Sequence, residues 1–306
     1  MSQITAGMVK DLRDKTGAGM MDCKTALGET NGDMEAAIDW LRKKGISRAA
    51  KKAGRAAAEG LIGVAVGGDV GALVEVNAET DFVARNEEFK GFVKSAAQLA
   101  LEEGGNLEKL LNRKMGDESV QHTLTELVAK IGENMSVRRT IALAVDPGVV
   151  SAYVHNAASP ELGKIGVLVA LKSTADKAKL ATLGKQIAMH VAAAAPLALT
   201  PAHLPKEVVE RERAIQTEIA KQSGKPDNVI EKMMEGRMRK FYEETVLLQQ
   251  TFVIDGETRI EKVVESAAKE FGTPVEIAGF VRFQVGEGIE KAESDFAEEV
   301  KQMAGR

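Results

Sequence analysis

One ordered pattern occurs twice along this chain. Beginning at Gly60, "LIGVAV", a "GGDVG" turn and "ALVEVNA" read as a β-hairpin, because glycines between two apolar runs supply the positive φ that a tight turn needs. A helix follows from about Phe82 through "RNEEFKGFVKSAAQLALEE", a second starts near Ser119 and runs through "LTELVAKIGE", and "VRRTIALAV" reads as a third strand. The order restarts at Gly148. There "GVVSAYVHN", an Ala-Ser-Pro loop and "GKIGVLVALKS" form a hairpin, "DKAKLATLGKQIAMHVAA" a helix, and "VEIAGFVRFQV" the third strand. A duplicated order of this kind predicts two similar units, each an antiparallel sheet with helices on one face, and hence an α+β fold.

The second copy is interrupted. "PKEVVERERAIQTEIAKQ" and "PDNVIEKMMEGRMRKF" are amphipathic segments joined by "SGK", with Pro226 where a helix can begin. They predict an antiparallel helical hairpin with a seam of Ile215 and Ile219 against Ile230, Met233, Met234 and Phe241. Ahead of the first copy, residues 5–45 predict three short helices. Thr5 caps the first and Asp33 the third, which turns Ala37, Trp40 and Leu41 inward and stops at Gly45. "RKKGISRAAKKAGR", from Arg42 to Arg55, carries seven basic residues and no acidic one. It reads as a solvated linker or as a docking surface for an acidic protein or RNA. "GIEKAESDFAEEVKQMAGR" predicts a terminal helix. The expected boundaries are 1–55, 56–146, 147–195 with 243–286, 196–242 for the inserted hairpin, and 287–306.

Composition narrows function. Among 306 residues, no apolar run approaches the roughly 18 that a spanning helix needs, so no membrane association is expected. A formal net charge of -4 gives no global attraction to DNA or RNA. The opening "MSQITAGMVKDLRDKTG" lacks a basic region followed by an apolar one, and the single Cys23 cannot form an internal disulfide; a cytoplasmic protein is expected. Four histidines, at 122, 155, 190 and 203, have no metal-ligand spacing. Cys23, beside Met20 and Met21 on an amphipathic stretch, reads as a buried thiol, with nucleophile or ligand as the alternative. No dinucleotide fingerprint or phosphate loop occurs; "QSGKPD" has the wrong upstream spacing. No catalytic residue, metal, cofactor or direct nucleotide binding is expected, and the chain does not read as an enzyme.

One stretch stands out: "VEVNAETDFVARNEEF", Val74 to Phe89, ends an apolar strand and then sets Asp81 beside Phe82 on what should be an exposed corner. Aromatics are only 4% of the chain. From the residues alone, Phe82 either packs into its own unit or awaits a partner.

Four stretches carry a family resemblance: "VKDLRDKTGAGMMDCKTAL"; "EVNAETDFVARN"; "AKIGEN"; and "KPDNVIEKMMEGRMRKF" followed by "FVRFQVGEGIEKAESDFAEEV". Through them nearly the whole chain resembles the bacterial elongation factor Ts family, guanine-nucleotide exchange factors of translation elongation factor Tu. The resemblance implies a ubiquitin-associated (UBA)-like first domain that docks on the GTP-binding domain of Tu. It also implies N- and C-subdomains for the duplicated region, and a protruding coiled coil, called the dimerisation domain in some members, for the hairpin. Thr80, Asp81, Phe82 and Val83 match the residues that displace magnesium from the nucleotide site of Tu, with Phe82 as a wedge and Asp81 fixing it at a helix start. Arg13, Met20, Met21, Ile131 and His155 match partner-contact positions; "NAASPEL" is an insertion just after His155. For Ile131 the residues alone leave core and interface both open. An adaptor or chaperone-like scaffold holding two proteins is the alternative, and only the exchange factor's binding would respond to GDP or magnesium.

Overall fold

A computed structural model describes residues 4–16, 18–222 and 226–289. The expected terminal helix lies almost wholly outside the described residues.

Three helices come first: α1 (Ala6–Thr16), α2 (Met20–Glu29) and α3 (Met34–Lys52). They close on Leu12, Cys23, Ala26, Leu27 and Ala37, all fully buried, so the lone cysteine is part of a core. The Thr5 hydroxyl accepts from the Met8 N–H, and the Asp33 carboxylate from the Ala36 N–H, as N-caps do.

Gly45 does not stop α3, which continues to Lys52. A Cβ at this position would lie 2.9 Å from that of Ala129. Ala129 lies on α6 (Val120–Ile131), so glycine is present here because two helices cross at close range. Arg42 reinforces the crossing with an ion pair to Glu118 and a 3.0 Å hydrogen bond to His122 Nε2. Within the basic stretch, Lys44 pairs with Asp22 and Arg55 with Glu79, each at 3.5 Å.

The first half of the α+β region comprises β1 (Glu59–Val66), β2 (Val70–Ala78), α4 (Glu87–Glu102), α5 (Leu107–Asn112), a two-stranded ribbon of β3 (Lys114–Met115) and β4 (Glu118–Ser119), then α6 and β5 (Met135–Ala144). The second comprises β6 (Gly148–Ser159), β7 (Leu162–Lys172), α7 (Lys177–Ala194), α8 (Lys206–Lys221), α9 (Asp227–Thr245), α10 (Ile260–Phe271) and β8 (Glu276–Gln284). In each half the third strand pairs antiparallel with the second, giving β5-β2-β1 and, likewise, β8-β7-β6. Each third strand carries a one-residue bulge, at Arg138 and at Ala278. Each is preceded by a helix ending on a left-handed glycine, Gly132 (φ 88°) or Gly272 (φ 72°). The duplication extends to α10, the counterpart of α6, which sequence reasoning left unassigned although Ile260, Val264 and Ala267 mark its buried face at helical spacing.

The two sheets form one. Strand β7 pairs with β1 through Gly163 and Leu162, and the Val64 N–H donates to the Glu161 carbonyl at 2.9 Å. The "NAASPEL" insertion therefore belongs to a longer hairpin than expected: Ala157 to Ser159 lie in β6, and Pro160-Glu161 form the turn that reaches β1. The helix-free faces also pack on each other through Ile62, Val64, Leu73, Val150, Leu168 and Phe283. Contact is close enough that a Cβ on Gly166 would meet Ile62 at 2.6 Å. Burial on both faces explains why β1, β2 and β7 read as continuous apolar runs rather than alternating ones.

Helices α8 and α9 form the expected hairpin, anchored at its base by Ala198, Leu204 and Val246 with Phe241 and Tyr242. Its seam differs from expectation on one arm. Ile215 and Ile219 are 44% and 46% exposed, whereas Ala220 is buried. Thr217 donates to Met234 Sδ, and Arg237 to Gln216 Oε1 at 2.7 Å. The α8 stripe that faces α9 is small and polar, and the isoleucines lie beside it.

Candidate functional site

After β2 the chain turns a corner through Glu79, Thr80, Asp81 and Phe82, makes one 3-10 turn (Val83–Arg85), and enters α4. Asn86 caps α4 by accepting from the Glu88 and Phe89 N–H groups. The helix thus starts five residues later than expected, and Phe82 precedes the 3-10 turn rather than starting α4. That displacement separates two phenylalanines. Phe89 is fully buried, whereas Phe82 is 73% exposed.

Val83, grouped with the corner by resemblance, points the other way: it is 3% exposed and belongs to the core of the first half. Asp81 and Thr80 remain on the corner. Arg85 lies 3.5 Å from the Asp81 carboxylate and 6.0 Å from the Phe82 ring centroid, both exposed contacts that stabilise little.

The corner is held from beside it. Thr80 donates its N–H and its hydroxyl to Glu133, at 3.0 and 2.7 Å, and the Asn134 N–H donates to Glu79 at 2.6 Å. Glu133 and Asn134 follow Ile131 in the "AKIGEN" stretch, so two of the resembling motifs meet here. Ile131, at the end of α6, is partly buried against the first core, which places it between the two readings left open. Sequence reasoning missed Glu79, Glu133 and Asn134. Polar residues on loops read as solvated, and only the fold shows which partners they meet.

The other expected contact residues are exposed but separate from the corner in sequence. Met20 and Met21 are both open, at 60% and 71%, because Cys23, Ala26 and Leu27 fill the inward face of α2. Arg13 is exposed near the end of α1, and His155 is exposed on β6, its Nδ1 3.3 Å from the Tyr153 hydroxyl. A groove of about 830 Å³ runs between the α1–α2 corner, α3, and helices α4 and α6; Lys15, Asp22, Leu41, Phe92, Glu126 and Lys130 are among its lining.

At the far side of the first sheet, Glu75 is a buried carboxylate. Arg138 and Arg139 both reach it, because the bulge turns consecutive residues to one side, and the Gly286 N–H donates to it at 2.8 Å. Burial alone would push this carboxyl up, but hydrogen bonds from Gly286, Asn77 and Arg139 hold it below the usual carboxylate range. His190 is likewise buried. Its Nδ1 accepts from the Val253 N–H, which leaves Nε2 to donate to Gln250, and burial pushes its pKa down. Both groups are internal pins. Among the described residues no cluster of His, Cys, Asp or Glu could hold a metal ion, and no helix is long and apolar enough to cross a membrane.

The sequence as a whole matches a known family. The family model described as elongation factor TS matches residues 79–287, more than half of the chain, starting at the exposed corner. Proteins named elongation factor Ts are similar over nearly all of it. One from Rhodospirillum rubrum is 62% identical over 303 residues, covering 98% of both chains. One from Rhodospirillum centenum is 60% identical over 307 residues and covers 100% of both; one from Parvibaculum lavamentivorans is 58% identical over 306 residues, covering 99% of both. The chain belongs to the elongation factor Ts family.

Proposed function

We propose that the protein is a guanine-nucleotide exchange factor of translation elongation: it binds the GDP form of elongation factor Tu, disturbs the magnesium and phosphate site, and releases GDP so that GTP can bind. The observation that carries this reading is Phe82, a large aromatic left 73% exposed on a corner whose backbone is hydrogen-bonded in place. An apolar ring left mostly in water on a fixed corner adds little to the stability of its own chain, and its exposure fits a wedge between elements of a partner. Thr80 and Asp81 share the corner. Val83 serves it by anchoring the following turn in the core.

Energetics require more than a wedge. Accelerating nucleotide release about a thousandfold lowers the barrier by about 4 kcal/mol, and burying one Phe contributes about 1.5–3 kcal/mol. Several patches must act together. Met20, Met21 and Arg13 on the UBA-like three-helix unit, Ile131 beside the corner, and His155 on the second subdomain belong to these patches, within a total interface above about 2,000 Å² built from the first domain, both subdomains and the terminal segment. The factor is not an enzyme: it forms no covalent intermediate, binds no nucleotide itself, and works in the cytoplasm. If two copies of the factor pair, the α8–α9 hairpin, with Ile215 and Ile219 exposed, offers the surface for it.

Binding linkage supplies the test. If the factor weakens nucleotide binding to Tu by some ratio, nucleotide weakens factor binding by the same ratio. Titrating GDP with magnesium into the preformed complex should therefore dissociate it, followed by calorimetry or light scattering. Binding that ignores GDP and magnesium would mark an adaptor instead.

A further inference from the structure

Two acidic side chains cross between neighbouring loops beside the corner. Glu133, from the turn after α6, accepts both the N–H and the hydroxyl of Thr80; Glu79, from the corner, accepts the Asn134 N–H in return. The Asn134 side-chain amide donates to the Arg55 carbonyl at 2.7 Å and the Ala53 carbonyl at 3.5 Å, and the Arg55 guanidinium approaches Glu79. Three segments are thereby tied in one knot: the chain leaving α3, the corner after β2, and the turn after Ile131. The corner needs such a tie. Phe82 contributes little burial of its own, and Asp81 pairs, among the described residues, only with the exposed Arg85.

We propose that Glu133 is a positioning residue for nucleotide exchange: its carboxylate fixes Thr80, and through it the Asp81-Phe82 corner, in the orientation that meets the GTPase. The proposal rests on the exchange-factor reading above. Its physical basis is preorganisation. A flexible corner would lose conformational freedom on docking and would present the ring over a range of positions, whereas two charge-assisted hydrogen bonds to one carboxylate set its orientation beforehand. Displacements of about 1 Å at a reacting site can cost about a hundredfold in rate, so a loosened wedge is felt even when the fold is intact. Glutamine at 133 retains the reach and an acceptor oxygen. Aspartate retains the charge but stops one methylene short.

The test is a double-mutant cycle on GDP release from elongation factor Tu, at saturating factor, with melting temperatures measured in parallel. The variants are Glu133→Ala, Phe82→Ala and their combination, with Glu133→Gln and Glu133→Asp alone. Glu133→Ala should slow release about tenfold with the fold retained, Glu133→Asp should slow it by less, and Glu133→Gln should stay within about threefold of the parent. In the Phe82→Ala background, Glu133→Ala should cost clearly less than in the parent, because the ring, the larger part of what it positions, is already gone. Equal losses in both backgrounds would overturn the proposal, as would no loss in the parent. If Glu133→Ala does not fold, the same cycle with Glu133→Asp decides. A parent protein that fails to accelerate GDP release would instead defeat the exchange reading itself; an active parent with a fully active Glu133→Ala variant defeats the positioning role alone.

Discussion

Truncating Phe82 to Ala separates the two roles an aromatic can have at such a corner. The ring is 73% exposed. Full burial of Phe is worth about 1.5–3 kcal/mol, so the covered quarter contributes roughly 0.4–0.8 kcal/mol to folding. In a protein of this size that is a melting shift of about 1–3 °C. The open three quarters represents about 1.1–2.2 kcal/mol available to a partner, equivalent to about 6- to 40-fold in rate if the ring is buried only as GDP leaves. Differential scanning calorimetry and stopped-flow GDP release on the same samples read the two numbers independently. Phe89→Ala is the control, because Phe89 is fully buried and its truncation should cost about 3–5 kcal/mol of stability. The reasoning is refuted if Phe82→Ala melts as early as Phe89→Ala, which would make the ring part of the core. It is refuted equally if Phe82→Ala keeps both its melting temperature and its full exchange rate.

Gly45→Val drives a side chain into Ala129, 2.9 Å from the new Cβ, and should destabilise the α3–α6 crossing by about 1–3 kcal/mol, seen as faster hydrogen exchange in α3; unchanged protection would mean the helices do not bear on each other. Glu75→Gln removes the shared partner of Arg138 and Arg139 and should cost about 3 kcal/mol at neutral pH. The folded-state pKa of Glu75 is depressed, so its contribution is present above about pH 4.3 and lost as pH falls through the folded value; parent and variant should converge in urea stability in acid. His190 is also depressed, because burial disfavours its charged form. Stability should therefore fall as pH drops below about 6.5, with a slope of up to about 1.4 kcal/mol per pH unit, and His190→Gln should lack that component.

What could be read from the sequence was set by local signals. A glycine turn and an Ala-Ser-Pro loop between apolar runs marked the two hairpins, and the cap residues Thr5 and Asp33 marked helix starts, because those interactions close within a few residues. Features that depend on a distant partner were misread. Gly45 resembled a helix stop, since nothing local announces that α6 will press against it. Ile215 and Ile219 seemed the natural seam of α8, yet the partner arm bonds to Gln216 and Thr217, and the buried residue near the end of α8 is Ala220. Helix α10 was within reach through its equivalence to α6. At the corner, neighbouring residues part company: Phe82 faces solvent and Val83 the core, a division set by the single 3-10 turn before Asn86 caps α4. The clasp from Glu133 and Asn134, more than fifty residues along the chain, became visible only when the fold brought the corner after β2 and the turn after α6 together.

The most direct test of the central claim is stopped-flow release of fluorescent GDP from elongation factor Tu of the same organism, with substoichiometric amounts of this protein, at two magnesium concentrations. The account predicts that each factor molecule turns over many Tu molecules, with stronger acceleration when magnesium is scarce. A folded factor that leaves GDP release unchanged at both concentrations would contradict it.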